Sequence, residues 1–300
     1  MTLIREFATA IIIAVFTSGL YAQDDDLMSM LGDDEPETEF TYATFKSTRV
    51  ISGHSVENPA EGVLQFVVSH HFGRINQGAY NLFGLDQATI KLDFQYGITD
   101  RLAIGIGRSS YQKTYDGFVK YKVLRQSSGV KNMPVTLSYV AGMDLNSLRW
   151  RFPERENYFS SRISYFHQVL IARKFSKNFS LQFTPTLVHK NLVEAANDEN
   201  DMLAIGVGGR YKLTQRFSLN VEYFHQLTEQ VSTSYENALS VGVDIETGGH
   251  VFQLHFTNAQ PMFERGFITE TSGKWSDGDI YFGFNINRVF TLKKPKEFRD

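Results

Sequence analysis

Between Gly62 and Phe290, stretches of roughly ten residues alternate apolar and polar about twelve times, and the connections between them are short and long in strict succession. Successive side chains of a strand point to opposite faces, so each stretch has one greasy face and one wet face. From Ala88 to Tyr96, for instance, Ile90, Leu92, Phe94 and Tyr96 share one face, and Thr89, Lys91, Asp93 and Gln95 share the other. A soluble sandwich alternates equally well but has no reason to sort its connections by length. Short turns fall at 97–100, 126–132, 176–178, 214–215 and 247–249, and longer loops at 73–87, 109–115, 144–158, 190–201, 226–236 and 258–276. The pattern predicts an all-β fold, a transmembrane antiparallel up-and-down β-barrel of about twelve strands with both termini in the periplasm.

The rest of the chain fits that reading. Met1 to Ala22 carries Arg5, an apolar run through Ile11–Phe16 and small residues before Ala22, the layout of a secretory signal peptide. Residues 23–39 are acidic and too poor in apolar side chains to bury a core, so they read as a flexible leader that could dock a periplasmic protein. Residues 40–61 read as a periplasmic or plug-like segment with strand character over Phe40–Ile51, 62–290 as the barrel and 291–300 as a tail. Cysteine is absent, which excludes disulfides, thiolate metal ligands and lipoprotein anchoring. Lys plus Arg number 30 against 33 Asp plus Glu, a balance that gives nucleic acid no basic surface to bind. The expected location is the bacterial outer membrane, with its lipid as the first partner.

The lipid-facing parity is clear on most strands, as in Leu102, Ile104 and Ile106 or Phe217, Leu219, Val221 and Tyr223. It blurs over Ile163–Phe175, where either parity sends His167 or Gln168 toward lipid; a β-bulge there would shift the register. Tyr96, Phe175, Phe179, Tyr211 and Phe217 cluster beside short turns, where an interfacial aromatic girdle belongs.

Four further stretches carry a family resemblance: Thr48-Arg49-Val50-Ile51 with Gly53-His54-Ser55, His70-His71-Phe72-Gly73-Arg74-Ile75, Phe83-Gly84-Leu85-Asp86, and Tyr96-Gly97-Ile98-Thr99-Asp100-Arg101 leading into Ile104-Gly105-Ile106-Gly107. From about Phe40 onward the chain resembles a domain-of-unknown-function family of bacterial outer-membrane β-barrels. The resemblance implies architecture and location, and no catalytic residue.

The inward parity gathers Lys91, Asp93, Lys120, Lys122, Arg210, Lys212, Glu222, Asp244, Glu246 and His255, which are the expected pore-lining residues. Ala103, Gly105, Gly107, Ala204, Gly206, Gly208, Ser240 and Gly242 share that face and leave room inside. Mixed charge around a wet lumen orients polar solutes, so the expected function is a channel for small polar or charged solutes. Twelve strands enclose less space than the 16–18 of general porins. The competing reading is a non-conducting scaffold that engages periplasmic partners through its N-terminal segment. No metal site or cofactor is expected: His70 and His71 are adjacent and point to opposite faces, and the other histidines are scattered. No catalytic residue is assigned either. His255 and Thr257 share a strand face but offer threonine in place of a serine nucleophile, and the loop acids Glu194, Asp198, Glu199 and Asp201 read as solvated charge.

Overall fold

The computed structural model describes residues 37–228, 235–248 and 250–293. The expected signal peptide (1–22), nearly all of the expected acidic leader (23–39) and the end of the expected tail lie outside the described residues. Among the described residues fourteen strands are formed: β1 Thr38–Phe40, β2 Val63–Arg74, β3 Ala88–Gly97, β4 Leu102–Ser109, β5 Thr114–Leu124, β6 Ser127–Gly129, β7 Thr136–Asn146, β8 Ile163–Lys174, β9 Phe179–Lys190, β10 Asp201–Lys212, β11 Phe217–Gln226, β12 Ala238–Thr247, β13 His250–Thr257 and β14 Tyr281–Thr291. Twelve of them, all but β1 and β6, form one closed barrel in which each strand lies antiparallel to its sequence neighbours and β14 pairs with β2. Strands of 8 to 12 residues match the length that a tilted strand needs to cross a bilayer. Among the described residues no helix is long and apolar enough to span.

Closure uses every backbone edge of the wall, as a hydrocarbon surrounding demands. The outward parity carries the greasy set: Phe94 and Leu181 are exposed, and Ile106 most of all at 63%. The girdle residues Phe175, Phe179, Tyr211 and Phe217 also face out. Phe66 stacks on Phe94 across β2 and β3, with ring centres 4.8 Å apart.

The register of β8 departs from expectation. No bulge occurs there: the pairing with β9 keeps one register from Ser164↔Lys190 to Lys174↔Ser180, interrupted only around Pro185, which has no N–H to give. His167 faces outward, its Nδ1 2.7 Å from the Tyr139 hydroxyl, and Gln168 is buried inside. Alternation blurs because the inward parity of β8 is itself apolar. Phe166, Leu170 and Ala172 are buried in one apolar cluster with Phe45, Val50 and Val56 of the N-terminal segment and with Phe267 and Ile268 of the short helix α1, Glu264–Thr269, which packs on β8 and β11.

Helix α1 belongs to the loop after β13, which folds into the lumen from the long-loop end. Met262, Phe263, Phe267 and Ile268 are buried, and the Phe267 ring meets the edge of Phe224 at 5.1 Å. Burying side chains of this kind stabilises by roughly 1.5–3 kcal/mol each. From the short-turn end, residues 41–61 enter as a plug. Strand character there yields only β1, which pairs with β6 in the 125–135 connection, so that connection is more than a bare turn. The remainder is irregular, with a tight tip where Val50 N donates to Gly53 O and Ser55 N to Thr48 O.

Small inward residues therefore do not leave open space. A Cβ on Gly105 would lie 2.2 Å from the Phe118 ring, and one on Gly206 2.5 Å from Phe224. The room they make is filled by rings of neighbouring strands. A charge on the outer face should be far less tolerable than one inside: Phe94→Arg is expected to lower unfolding free energy by about 2–4 kcal/mol, read by urea titration of the barrel in lipid vesicles.

Candidate functional site: the plugged lumen

The plug is seated chiefly by polar groups of the wall. Glu222 on β11 accepts hydrogen bonds from three successive backbone N–H groups, those of Ile51, Ser52 and Gly53, at 3.0–3.1 Å. Successive amides turned to one side make an anion-binding nest, and a Cβ at Gly53 would fall 2.9 Å from the Phe224 ring. Gln182 on β9 donates to His54 O at 2.7 Å and accepts from Val56 N at 2.9 Å. Gln253 donates to Val50 O and Asn285 to Ile51 O. Lys120 on β5 donates to Ser55 O and Glu57 O, Arg210 on β10 to Ala43 O and Thr44 O, and Lys46 of the plug pairs with Glu246.

Above that seat the plug and the inward loop meet. Arg49 of the plug pairs with Glu264 of α1 and lies 3.6 Å from Asp93 of β3. His54 Nε2 is 3.1 Å from the same Glu264 carboxylate, and its ring packs edge-on against Phe118. Lys91 on β3 pairs with Asp116 on β5 at 2.7 Å, and Asp144 on β7 accepts from Arg265 N. All these groups are buried. Burial and the cations Arg49, Lys120 and Lys91 hold the His54 imidazole well below its ordinary pKa, so it faces Glu264 as a neutral ring. For Arg49, burial works against the charge, but Glu264 and Asp93 more than offset it and the guanidinium stays protonated.

The ten sequence-derived lumen residues all lie on the inward parity, in distinct settings. Lys91, Asp93, Lys120, Arg210, Glu222 and Asp244 are buried in the contacts just described or, for Asp244, beside Gln253. Glu246, Lys122 and Lys212 sit half-buried near the short-turn end. His255 stands apart, its Nε2 2.9 Å from that of His71, which also bonds Gln260 O in the loop. Thr257 bonds Ser240 instead of His255, so no hydroxyl–imidazole pair is formed there. Among the described residues no three His, Asp or Glu side chains are grouped to hold a metal ion.

Sequence reasoning missed Arg49, His54, Asp116, Asp144 and Glu264. Asp144 lies on inward parity, but β7 extends farther toward the long-loop end than the 144–158 loop boundary allows, and Asp116 is inward just past the 109–115 loop. Arg49, His54 and Glu264 sit outside any strand, where alternation gives no signal.

A closed antiparallel barrel with an apolar outer belt and a charged interior, filled by its own N-terminal segment and one loop, defines a self-plugged membrane β-barrel. The chain belongs to the family described as "Membrane bound beta barrel domain (DUF5777)", whose model matches residues 45–290. It is an outer-membrane β-barrel of a bacterium, in contact with the lipid of that membrane. No curated protein matches the sequence. Among solved structures it is similar to the NanC porin (8% identity, 77% of this chain and 100% of that one, TM-score 0.47). It is likewise similar to the KdgM porin (8%, 77% and 99%, 0.45) and to the Acinetobacter baumannii outer membrane protein Omp33 (8%, 78% and 100%, 0.41). At these values the likenesses assign no solute.

Removing one partner of the central pair should cost more than removing both. Glu264→Ala leaves Arg49 buried with only the more distant Asp93, and is expected to lose about 3–5 kcal/mol of unfolding free energy. Arg49→Met with Glu264→Met should recover most of that loss, measured by urea unfolding in the same vesicles.

Proposed function

We propose that this barrel is a gated conduit for small polar or charged solutes, held closed by its own N-terminal segment. The observation that carries the reading is the chemistry of the plug's seat: Glu222, Gln182, Lys120, Arg210, Gln253 and Asn285 hold it mainly by side-chain bonds to its backbone. Taking ions out of water costs several kcal/mol each even after pairing, and a permanently filled lumen is served better by apolar side chains. Charge on the wall suits a lumen that water enters when the segment leaves. Helix α1 is held differently, by Phe267 on Phe224 within an apolar cluster as well as by its ion pairs to Arg49 and Glu270. The loop is thus the fixed constriction and the N-terminal segment the movable element. With the short turns in the periplasm, β1 lies at the periplasmic mouth, where a periplasmic protein can engage the N-terminal segment.

A covalent lock tests this directly, because the native chain has no cysteine. A Cβ built on Gly208 lies 3.6 Å from the Val50 Cβ, within disulfide range. In planar bilayers, Val50→Cys with Gly208→Cys should show discrete conductance steps when reduced and lose them when oxidised. Deletion of residues 44–58 should hold the barrel open. Electrical silence of both the reduced variant and the folded deletion would reject the conduit in favour of a non-conducting scaffold that binds periplasmic partners. Steps that persist through oxidation would reject the segment as the gate.

A further inference from the structure

The long-loop mouth holds a cavity of about 1060 Å³ that none of the contacts described above explains. Its floor is the outer side of α1 and the end of β9, and its wall is the 147–162 loop. Arg265 and Lys190 rise from the floor, both more than nine-tenths buried, and share one carboxylate, Glu270. Lys190 reaches Glu270 at 3.3 Å and otherwise faces the Tyr235 ring at 5.9 Å. Two buried cations on one acid leave positive charge in a poorly hydrated place.

The wall adds to it. Arg155 lies over the Phe152 ring at 4.3 Å and Arg151 over the same ring at 5.4 Å, and among the described residues no carboxylate pairs with either. The cavity's remaining acids are already engaged: Glu194 accepts the Tyr235 hydroxyl at 2.6 Å and Glu156 the Tyr158 hydroxyl. Four cations thus face three acids, each of which has a donor. A guanidinium resting on an aromatic face keeps its fork of N–H donors planar and orients it for a two-point bond to carboxylate or phosphate.

We infer that this vestibule is a binding site for a small organic anion, a carboxylate or phosphate ester, held between Arg151 and Arg155 above and Lys190 and Arg265 below. The source is a free solute and not a lipid headgroup, because Arg265 of the floor belongs to the loop that fills the lumen. An excess of cation over acid at a mouth with low-dielectric walls concentrates anions there, so the site would load the conduit with anions before the gate opens. The inference names the solute class of the conduit proposed above and rests on that reading.

Calorimetric titration of the full barrel in zwitterionic detergent tests it, with glucuronate and glucose 6-phosphate as probes and glucose as the uncharged control. Both anions should bind, more weakly at higher salt, while glucose does not. Arg151→Gln with Arg155→Gln should weaken anion binding about tenfold or more, the loss expected for charge-assisted hydrogen bonds, and leave the unfolding midpoint in place. Equal uptake of glucose and glucuronate, absence of anion binding, or unchanged affinity in the double variant would overturn the inference. Binding is read with the plug seated, so a silent lock-and-deletion experiment beside intact anion binding would sink the conduit alone. Steps without anion binding would sink only the vestibule.

Discussion

Pairing of β14 with β2 is the constraint on which the other features depend. Once the ladder closes, the wall has no free edge, and any further backbone inside the lumen must find its hydrogen bonds elsewhere. That is why Phe40–Ile51, despite its strand character, is irregular beyond β1. The plug's N–H and C=O groups bond to Glu222, Gln182, Gln253, Asn285, Lys120 and Arg210, which point inward because the strand period sends them there. The polar face that marks the sequence as a barrel also serves as the plug's bonding surface.

The interior is divided along the axis by chemistry. Toward the short turns the wall is amide, carboxylate and cation against plug backbone. Toward the long loops an apolar cluster of Phe166, Phe224, Phe267 and Ile268 lies beside the buried pairs Lys91–Asp116 and Arg265–Glu270. Between the halves Arg49, His54 and Glu264 join plug to loop, with Asp93 completing the charge around Arg49. Ion pairs at such a junction add little net stability relative to apolar packing, but they fix one geometry, because a displaced plug leaves Glu264 buried without its guanidinium.

Several stretches that carried the family resemblance are places where backbone approaches backbone or where the plug turns. Thr48–Ser55 is the tip of the plug. A Cβ on Gly97 would sit 2.1 Å from Ala60 O, where the chain leaves the plug for β2, and one on Gly84 2.5 Å from the backbone of Gly73. In each case the residue type answers to close contact between segments distant in sequence, which explains why the motifs look unconnected when read along the chain.

The sequence by itself determined the wall: strand count, inward and outward parity, the alternation of short and long connections, and the membrane address, because a period of two and a sorted set of turns are local properties. It also identified the ten charged and polar inward residues by parity. Only the tertiary structure decided what those residues face. The unbroken register of β8 could not be read locally, because Phe166, Leu170 and Ala172 are apolar inward to join a buried cluster with residues of the N-terminal segment and of α1, both far away along the chain. Nor could the joining of Arg49, His54 and Glu264, since side chains from irregular segments have no period to announce their direction, and their meeting is set by the volume the closed wall leaves to be filled.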